Sequence, residues 1–259
     1  MARFTDKVAI ITGASTGLGP VMARMMAAEG AKLVLAARRL ELVEAVAAEI
    51  GDAAVAVRAD VTQEADVAAM VEAAMSRWGQ VDILMNNAAI PGADKYIWEQ
   101  TLENWNATIA VDLTAAMLCS REVLRRSMME RKTGAILSFS SGAGWSGIPR
   151  KSHYSAAKGA LRVLTKVIAQ EVGPYEIRCN CLVPGAIDTE LHRNYWKRIA
   201  AEEGVSYDEA HERGMTSVPL KRVSTPEDIA NMALFLVSDQ ARTVTGQSIN
   251  VDAGWYMVG

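Results

Sequence analysis

The stretch KVAIITGASTGLG, residues 7–19, joins a short apolar run to a turn with three glycines. Residues 19–31 follow with the spacing of an amphipathic helix. Gly13, Gly17 and Gly19 would let the backbone turn tightly, approach a pyrophosphate group and pack the helix against the sheet. The helix N-terminus would add unpaired N–H groups and the positive end of its dipole. This order predicts a dinucleotide site, although the spacing is G-x3-G-x-G rather than G-x-G-x-x-G, and a plain glycine turn stays an alternative.

The same turn also matches a second motif, the nucleophile elbow G-x-S-x-G of α/β-hydrolases, with Ser15 as the nucleophile. That motif needs an oxyanion-hole loop from an earlier strand, and only a dozen or so residues precede Ser15. The elbow also leaves the third glycine unexplained. A serine hydrolase therefore remains the lesser alternative.

Outward from the turn, strand-like runs alternate with helical stretches of 12 or more residues along the chain. This alternation predicts an α/β fold, a doubly wound parallel sheet with helices on both faces. We find no linker, charge block or repeat, so residues 1–259 are predicted to form one domain. The exception is the aromatic and charged segment 188–222, which has a weak helical pattern and no strand; its length favours a substrate lid. Strand-like runs lie at 32–37, 53–60, 81–86, 134–141, 176–183 and 247–252, and helical stretches at 40–51, 64–79 and 151–173, in a region ending about Arg126, and from Thr225 onward.

Composition excludes several classes of protein. The chain has 259 residues, 50% of them hydrophobic, and a formal net charge of −3. This balance gives no basic surface for nucleic acid or anionic membranes, and no apolar run approaches the roughly 18 residues of a membrane span. The N-terminal sequence does not have the pattern of a signal peptide. Cys119, Cys179 and Cys181 lack disulfide or CxxC spacing, which is typical of a reducing compartment; the cytoplasm is the expected location.

The end of the second strand indicates which nucleotide would bind. An NAD site has an acidic side chain about 20 residues past the glycines, for the ribose 2′-hydroxyl. Ala37, Arg38 and Arg39 stand there instead. A guanidinium is always charged and can bind a 2′-phosphate through two hydrogen bonds. NADP(H) is therefore preferred and NAD(H) remains possible, the simpler interpretation being that both arginines only begin a solvated helix.

Tyr154 and Lys158 are four positions apart in HYSAAKGAL, residues 153–161, and would share one helix face. Tyrosine ordinarily titrates near 10, and an ammonium within about 4–6 Å lowers the pKa of such a group by roughly 1–3 units. Ser141 ends a predicted strand, at the edge where an open α/β sheet binds its ligands. Each residue alone is unremarkable, but together they suit proton transfer to a substrate oxygen.

The whole set resembles the short-chain dehydrogenase/reductase family. The matching motifs are TGxxxGxG at 12–19, NNAA at 86–89, Ser141, YxxxK at 154–158 and PGAIDT at 184–189, in order over nearly the whole chain. The resemblance implies a Rossmann fold, a homotetramer, and hydride transfer between a nicotinamide and a ketone or aldehyde. Tyr154 would be the general acid/base, Lys158 would lower its pKa, and Ser141 would hold the substrate oxygen.

The resemblance also implies a set of cofactor-binding residues. Asp60 and Val61 would meet the adenine, Asn87 the ribose region, and Ile187 with Thr189 the nicotinamide amide. The full set expected to contact the cofactor is Gly13, Ser15, Thr16, Gly17, Leu18, Gly19, Arg38, Arg39, Asp60, Val61, Asn87, Tyr154, Lys158, Pro184, Gly185, Ile187 and Thr189.

The chain departs from the family pattern at several positions. The fourth catalytic residue, an asparagine in the family, is Asp112 here, within VDLTA. An aspartate keeps the acceptor and brings a negative charge toward Lys158, which would slow the proton relay, shift the pH optimum or do little. Ala89 and Ala253 replace glycines, and Thr16 stands where NADP-preferring members carry a basic residue.

Metal chemistry has no support in the sequence. His153, His192 and His211 form no HxxxH or HExxH pair, and no cysteine pair has zinc spacing. His153 is expected to face away from Tyr154, at the surface or rim. We therefore predict an NADP(H)-dependent oxidoreductase of a small-molecule carbonyl or alcohol. The alternatives are an NAD-dependent alcohol or polyol dehydrogenase, a serine hydrolase and a nucleotide-sensing protein without turnover.

Overall fold

Seven parallel strands form one sheet in the computed structural model, which describes residues 2–257. The strand order is β3-β2-β1-β4-β5-β6-β7. The predicted α/β fold with a doubly wound parallel sheet is thereby confirmed. The strands are β1 (Val8–Thr12), β2 (Lys32–Ala37), β3 (Ala54–Arg58), β4 (Ile83–Asn86), β5 (Gly134–Phe139), β6 (Ile177–Pro184) and β7 (Ser248–Val251).

Helices cover both faces of this sheet because parallel strands need crossover connections, and the chain builds strands outward from β1 in both directions. The α-helices are α1 (Leu18–Ala28), α2 (Leu40–Ile50), α3 (Glu64–Trp78), α4 (Leu102–Ile109), α5 (Ala115–Val123), α6 (Met129–Arg131), α7 (Ala143–Ser146), α8 (Ser152–Val172), α9 (Glu190–Glu203), α10 (Tyr207–Met215) and α11 (Pro226–Val237). Short 3-10 turns lie at Ile97–Glu99, Gly173–Tyr175 and Asp239–Ala241.

The helical region predicted to end about Arg126 runs further, to the end of α6. It is interrupted twice by π-helical turns, at Ala110–Thr114 and Leu124–Met128. Such turns insert an extra residue and often lie at functional sites. Apolar periodicity does not report them, because the helix continues on both sides.

Two apolar cores lie on the two faces of the sheet. All five residues of β1 are buried, which explains why that strand is continuously apolar rather than alternating. Ile11 and Leu35 belong to the core on one face, whereas Ile10 and Val34 belong to the core on the other. The register is therefore fixed by burial on both faces.

The order of the strands changes direction between β1 and β4. The chain builds β1, β2 and β3 outward on one side, then returns to place β4 beside β1 on the other. In an open α/β sheet, ligands bind outside the carboxyl ends of the strands at such a switch point. The glycine turn follows β1 at this edge.

The segment predicted to be a lid contains two helices, α9 and α10. Thr189 and Ser206 cap them, each accepting a hydrogen bond from a backbone N–H in the first turn. A capping box formed by Thr225 and Asp228 begins α11, as the sequence predicts. No helix within residues 2–257 is both long and apolar enough to cross a bilayer.

Candidate active site

The glycine turn depends on close backbone contacts. A Cβ atom on Gly13 would lie 2.8 Å from Ala88 Cα, and Gly13 has a φ of +66°. A Cβ atom on Gly19 would lie 2.5 Å from the Gly13 carbonyl oxygen. Gly17 also has positive φ, and among residues 2–257 no side chain caps the N-terminus of α1. The turn therefore leaves the N–H groups of α1 available to an anion such as a pyrophosphate.

Asn87 joins this turn to β4. Its Nδ2 group donates to the carbonyl oxygens of Thr12 and Gly13 at 3.0 and 3.1 Å. The Thr12 hydroxyl accepts from the backbone N–H groups of Asn87 and Ala88 at 3.0 and 3.1 Å. The Asn87 side chain therefore positions the turn, in addition to any contact with the ribose.

Arg39 extends over the glycine turn from the end of β2. Its Nη2 atom donates to Ser15 Oγ at 3.3 Å and to Thr16 Oγ1 at 3.1 Å. Arg38 beside it is exposed. The guanidinium and the two hydroxyls form a cluster of donors suited to a phosphate.

Asp60 and Val61 follow β3. Thr62 donates to Asp60 Oδ1 from its backbone at 3.0 Å and from its hydroxyl at 2.7 Å. Burial opposes ionisation of Asp60, but these hydrogen bonds and the nearby Arg38 and Arg58 hold its pKa below the ordinary value. Val61 is buried. Residues 60–62 therefore form a hydrogen-bonded turn after β3. The neighbouring strand β2 is followed by Arg38 and Arg39.

Tyr154 and Lys158 occupy successive turns of α8. The Lys158 Nζ atom lies 5.5 Å from the centroid of the Tyr154 ring, and the lysine is buried whereas the tyrosine is half-buried. Lys158 donates to the carbonyl oxygen of Phe139, the last residue of β5, at 3.0 Å. The ammonium is thus fixed under the phenol by the strand end as well as by the helix.

Asp112 lies in the first π-helical turn and faces Lys158. Its Oδ2 atom is 3.1 Å from Nζ, with side chains 0% and 3% exposed respectively. Burial raises the pKa of Asp112, against the attraction of Lys158. Burial lowers the pKa of Lys158, but the charges of Tyr154 and Asp112 outweigh it and the net direction is upward. The carboxylate predicted to approach Lys158 therefore forms a buried ion pair with it.

Ser141 lies two residues beyond β5, at the edge of the sheet where Lys158 is held. Its hydroxyl accepts from the Ala143 backbone N–H at 3.3 Å, and its side chain is half-buried. Ser140 donates to the Lys158 carbonyl oxygen at 2.7 Å. The two serines therefore have different partners, and Ser141 keeps its proton available for another acceptor.

The PGAIDT segment follows β6 at the same edge. Gly185 packs so closely on Asp252 that a Cβ atom there would lie 2.6 Å from Asp252 Cβ. Ile187 forms a bridge with Ser224, and the Thr189 side chain caps α9. This segment, which begins at Pro184, therefore links the sheet edge to the first helix of the segment 188–222.

An ion-pair cluster connects that segment with the region before α4. Asp94 lies 2.7 Å from Lys151 Nζ and 3.3 Å from Arg198 Nη2. Lys151 precedes α8, and Arg198 belongs to α9. Burial opposes ionisation of Asp94, but the two cations and Arg150 keep its pKa below the ordinary value. Sequence analysis missed this cluster, because its members are separated along the chain.

The expectation that His153 lies at the surface or rim is wrong. Its side chain is fully buried, with Nδ1 2.6 Å from Gln100 Nε2 and Nε2 3.2 Å from the Pro91 carbonyl oxygen. The loop before α4 covers it, which the sequence of α8 alone could not indicate. His153 therefore holds this loop against the helix that carries Tyr154.

Residues 2–257 contain neither the Ser–His pair that a serine hydrolase would need at Ser15 nor a cluster of metal ligands. Ser15 hydrogen-bonds Arg39 and no histidine, so the described residues contain no Ser–His pair at the elbow motif. No group of three or more His, Cys, Asp or Glu side chains in this range could hold a metal ion.

A cavity of about 230 Å³, lined in part by Lys7, Asp82 and Arg178, lies at the amino ends of the strands. This is the edge of the sheet opposite the glycine turn.

Comparisons with known proteins identify relatives of this chain. A family model described as Enoyl-(Acyl carrier protein) reductase matches residues 13–256. The chain is 34% identical to a 3-oxoacyl-[acyl-carrier-protein] reductase from Synechocystis, over 99% of this chain and 100% of that one. It is 35% identical to an L-rhamnose 1-dehydrogenase (NAD(P)(+)) from Azotobacter vinelandii, over 97% of each chain.

Solved structures show the same relationship. A levodione reductase superposes with a TM-score of 0.90 at 35% identity, over 97% of this chain and 98% of the other. A short-chain dehydrogenase/reductase from Brucella melitensis, titled glucose/ribitol dehydrogenase, has a TM-score of 0.84 at 30% identity and covers 99% of each chain. The fold and these relatives define an oxidoreductase of carbonyl and alcohol groups. The chain belongs to the short-chain dehydrogenase/reductase family, whose members use NAD(P)(H).

Proposed function

We propose that the protein is an NADP(H)-dependent oxidoreductase that interconverts a ketone or aldehyde and an alcohol, with Tyr154 as the general acid/base. The observation that carries the proposal is the buried Lys158 ammonium, held 5.5 Å from the Tyr154 ring centroid by Phe139 and Asp112. A fixed positive charge stabilises a phenolate more than a phenol. The tyrosine can therefore both give and accept a proton.

Each residue has a defined role in carbonyl reduction. Bound reduced nicotinamide supplies the hydride that adds to the carbonyl carbon. The Tyr154 hydroxyl donates its proton to the carbonyl oxygen, and the remaining phenolate faces the Lys158 charge. Ser141 donates a hydrogen bond to the same oxygen. Solvent then returns a proton to Tyr154, and alcohol oxidation follows the same steps in reverse.

The preference for NADP(H) rests on Arg39. Its guanidinium, with the Ser15 and Thr16 hydroxyls, surrounds a place beside the glycine turn where a ribose 2′-phosphate would bind. No carboxylate stands at the end of β2 for a 2′-hydroxyl. Asp60 and Val61 would contact the adenine, Asn87 the ribose region, and Ile187 with Thr189 the nicotinamide amide.

Two features of the molecule extend this proposal. The segment 188–222 serves as the substrate lid of the single domain 1–259, and the Asp94 cluster joins it to the loop before α4. The chain assembles as a homotetramer in the cytoplasm. Partly exposed Met117 on α5 and exposed Val163 and Val167 on α8 offer apolar surface for such an assembly.

A panel of ketones, aldehydes and alcohols, followed by the absorbance of reduced nicotinamide with NADPH and NADH in parallel, tests the proposal. We expect turnover with NADPH preferred, and a loss of at least about 10²-fold in the Tyr154→Phe variant with cofactor binding kept. Tyr175→Phe, a partly exposed tyrosine beyond α8, is the matched control. Near-normal turnover by Tyr154→Phe would remove Tyr154 from the mechanism.

A further inference from the structure

Asp112 has a chemical environment that suits a carboxylate and not the amide of an asparagine. Oδ1 accepts from the Ile90 backbone N–H at 2.8 Å, and Oδ2 lies 3.1 Å from Lys158 Nζ. An amide has one oxygen for these two donors. Either orientation of an asparagine would turn its NH₂ group toward a donor, Ile90 N–H or the ammonium.

A small cavity adjoins this ion pair. Its volume is about 10 Å³, and its lining includes Asn86, Asp112, Cys119 and Lys158. Asn86 Oδ1 and Asp112 Oδ2 are buried without a hydrogen-bond donor among the described residues. The second oxygen of Asp112 therefore faces the Lys158 ammonium as its counter-ion at 3.1 Å.

Among the titratable groups in this region, Asp112 and Lys158 carry the dominant charges. Burial raises the pKa of Cys181 on β6 to about 11 and that of Cys119 on α5 to about 12, so both thiols are neutral at ordinary pH. His153 on α8 contacts the Pro91 carbonyl oxygen through Nε2 and the Gln100 side-chain amide through Nδ1. Arg162, one turn beyond Lys158, donates to the Gly144 carbonyl oxygen.

We propose that Asp112 is a positioning residue, whose carboxylate fixes Lys158 under Tyr154 and offsets part of the ammonium charge. This inference rests on the proposed function and deepens it. The Asp112 carboxylate weakens the attraction between the Lys158 ammonium and the Tyr154 phenolate. Tyr154 therefore keeps its proton to a higher pH than it would beside an ammonium without this partner. Because carbonyl reduction uses the protonated tyrosine, we expect kcat/KM for reduction to be retained to a higher pH in the wild-type protein than in Asp112→Asn.

The test is the ultraviolet titration of the Tyr154 phenolate in the cofactor-free protein. Each protein is compared with its own Tyr154→Phe counterpart, so the difference isolates one tyrosine. We expect the Asp112→Asn midpoint to fall by about one pH unit, a tenfold shift in the proton equilibrium, because a nearby charge moves such an equilibrium by roughly 1–3 units. The acid limb of the kcat/KM profile for alcohol oxidation should shift in the same direction.

Further variants complete the test. Asp82→Asn removes another buried carboxylate, which pairs with Arg131 at 2.9 Å at the opposite edge of the sheet. It should leave the Tyr154 midpoint unchanged. Asp112→Glu keeps the charge and should stay nearer to wild type than the asparagine variant. If Asp112→Asn does not fold, Asp112→Ser, which is smaller and admits water, carries the same expectation.

A midpoint that is unchanged in the neutral variants overturns the proposal, as does one that rises. The titration needs neither substrate nor cofactor. A wrong substrate class or a preference for NAD(H) would therefore appear in the activity panel while leaving this measurement intact.

Discussion

Arg39 is the residue on which the choice of cofactor depends. Its contacts with Ser15 and Thr16 place the guanidinium beside the glycine turn. We expect Arg39→Ala to reduce the NADPH-over-NADH ratio of kcat/KM about ten- to hundredfold, since hydrogen bonds to charged groups contribute about 1.5–3 kcal/mol. Steady-state kinetics with both cofactors measure this ratio.

The matched control for Arg39 is Arg24→Ala. Arg24 also lies on the surface, but it pairs with Glu49 at 2.7 Å between α1 and α2. The ratio should remain at its wild-type value in that variant. Equal ratios in all three proteins would exclude a role for Arg39 in recognising the 2′-phosphate.

Gly13 combines positive φ with a close backbone contact. Comparing Gly13→Ala with Gly51→Ala separates the effect of the contact from that of positive φ. Gly13→Ala would place Cβ 2.8 Å from Ala88 Cα, whereas Gly51→Ala, also at positive φ (+82°), meets nothing within 4 Å. Strained φ alone costs about 1–3 kcal/mol. We expect Gly13→Ala to lose more stability in urea titration than Gly51→Ala, and to bind cofactor more weakly. Equal losses would mean that the contact with Ala88 relaxes without cost.

At the scale of elements, the ion pair between Arg198 on α9 and Asp94 joins the proposed lid to the rest of the site. Pairs this exposed contribute up to about 1 kcal/mol. Arg198→Gln should therefore speed proteolysis within 188–222 about two- to fivefold at low salt, because that energy corresponds to such a factor. Limited proteolysis followed by mass spectrometry measures the rate.

Arg193→Gln provides the comparison for this element. Arg193 also lies on α9, but it pairs with Asp188 within the same segment. Its loss leaves the contact across the site intact, so the cleavage rate should change little. Cleavage at one rate in wild type and Arg198→Gln would show that the pair does not hold the segment.

The elements themselves differ in how far sequence predicts them. The strand, glycine turn and helix from β1 to α1 follow from local composition, because buried parallel strands are continuously apolar and amphipathic helices have their own period. The π-helical turn that carries Asp112 could not be predicted, because it changes one hydrogen-bond step and leaves the apolar pattern unchanged. The resemblance predicts Asp112 near Lys158, but the burial of the pair and the hydrogen bond from Ile90 required the structure.

For the whole molecule, acid should reduce stability. Hydrogen bonds and ion pairs hold the pKa values of Glu29, Asp60, Asp94 and Asp228 below their ordinary range. A carboxyl group with a lowered folded pKa contributes stability that is present above its unfolded pKa, about 4, and is lost as pH falls through the folded value. Hydrogen bonds from Ser76 and Arg126 lower the pKa of Glu72 in the same way. The raised pKa of Asp112 acts in the opposite direction, as one group against five.

We therefore expect the melting temperature to fall below about pH 4, measured by circular dichroism. Asp228→Asn keeps an acceptor at the start of α11 but cannot titrate, so its melting temperature should depend less steeply on pH in that range. A melting temperature that is constant or rises on acidification would contradict the assigned directions.

The sequence by itself determined the fold class, the glycine turn after β1, and the presence of tyrosine and lysine on one face of α8. These features are local, because hydrophobic period, glycine spacing and i, i+4 neighbours act within one or two elements. Tertiary structure alone decided that the pair of Asp112 and Lys158 is buried, that His153 is buried under the loop before α4, and that Asp94 connects Lys151 with Arg198. Each of these contacts joins residues from separate elements, and their free energies depend on burial and distance, which only the packed chain defines.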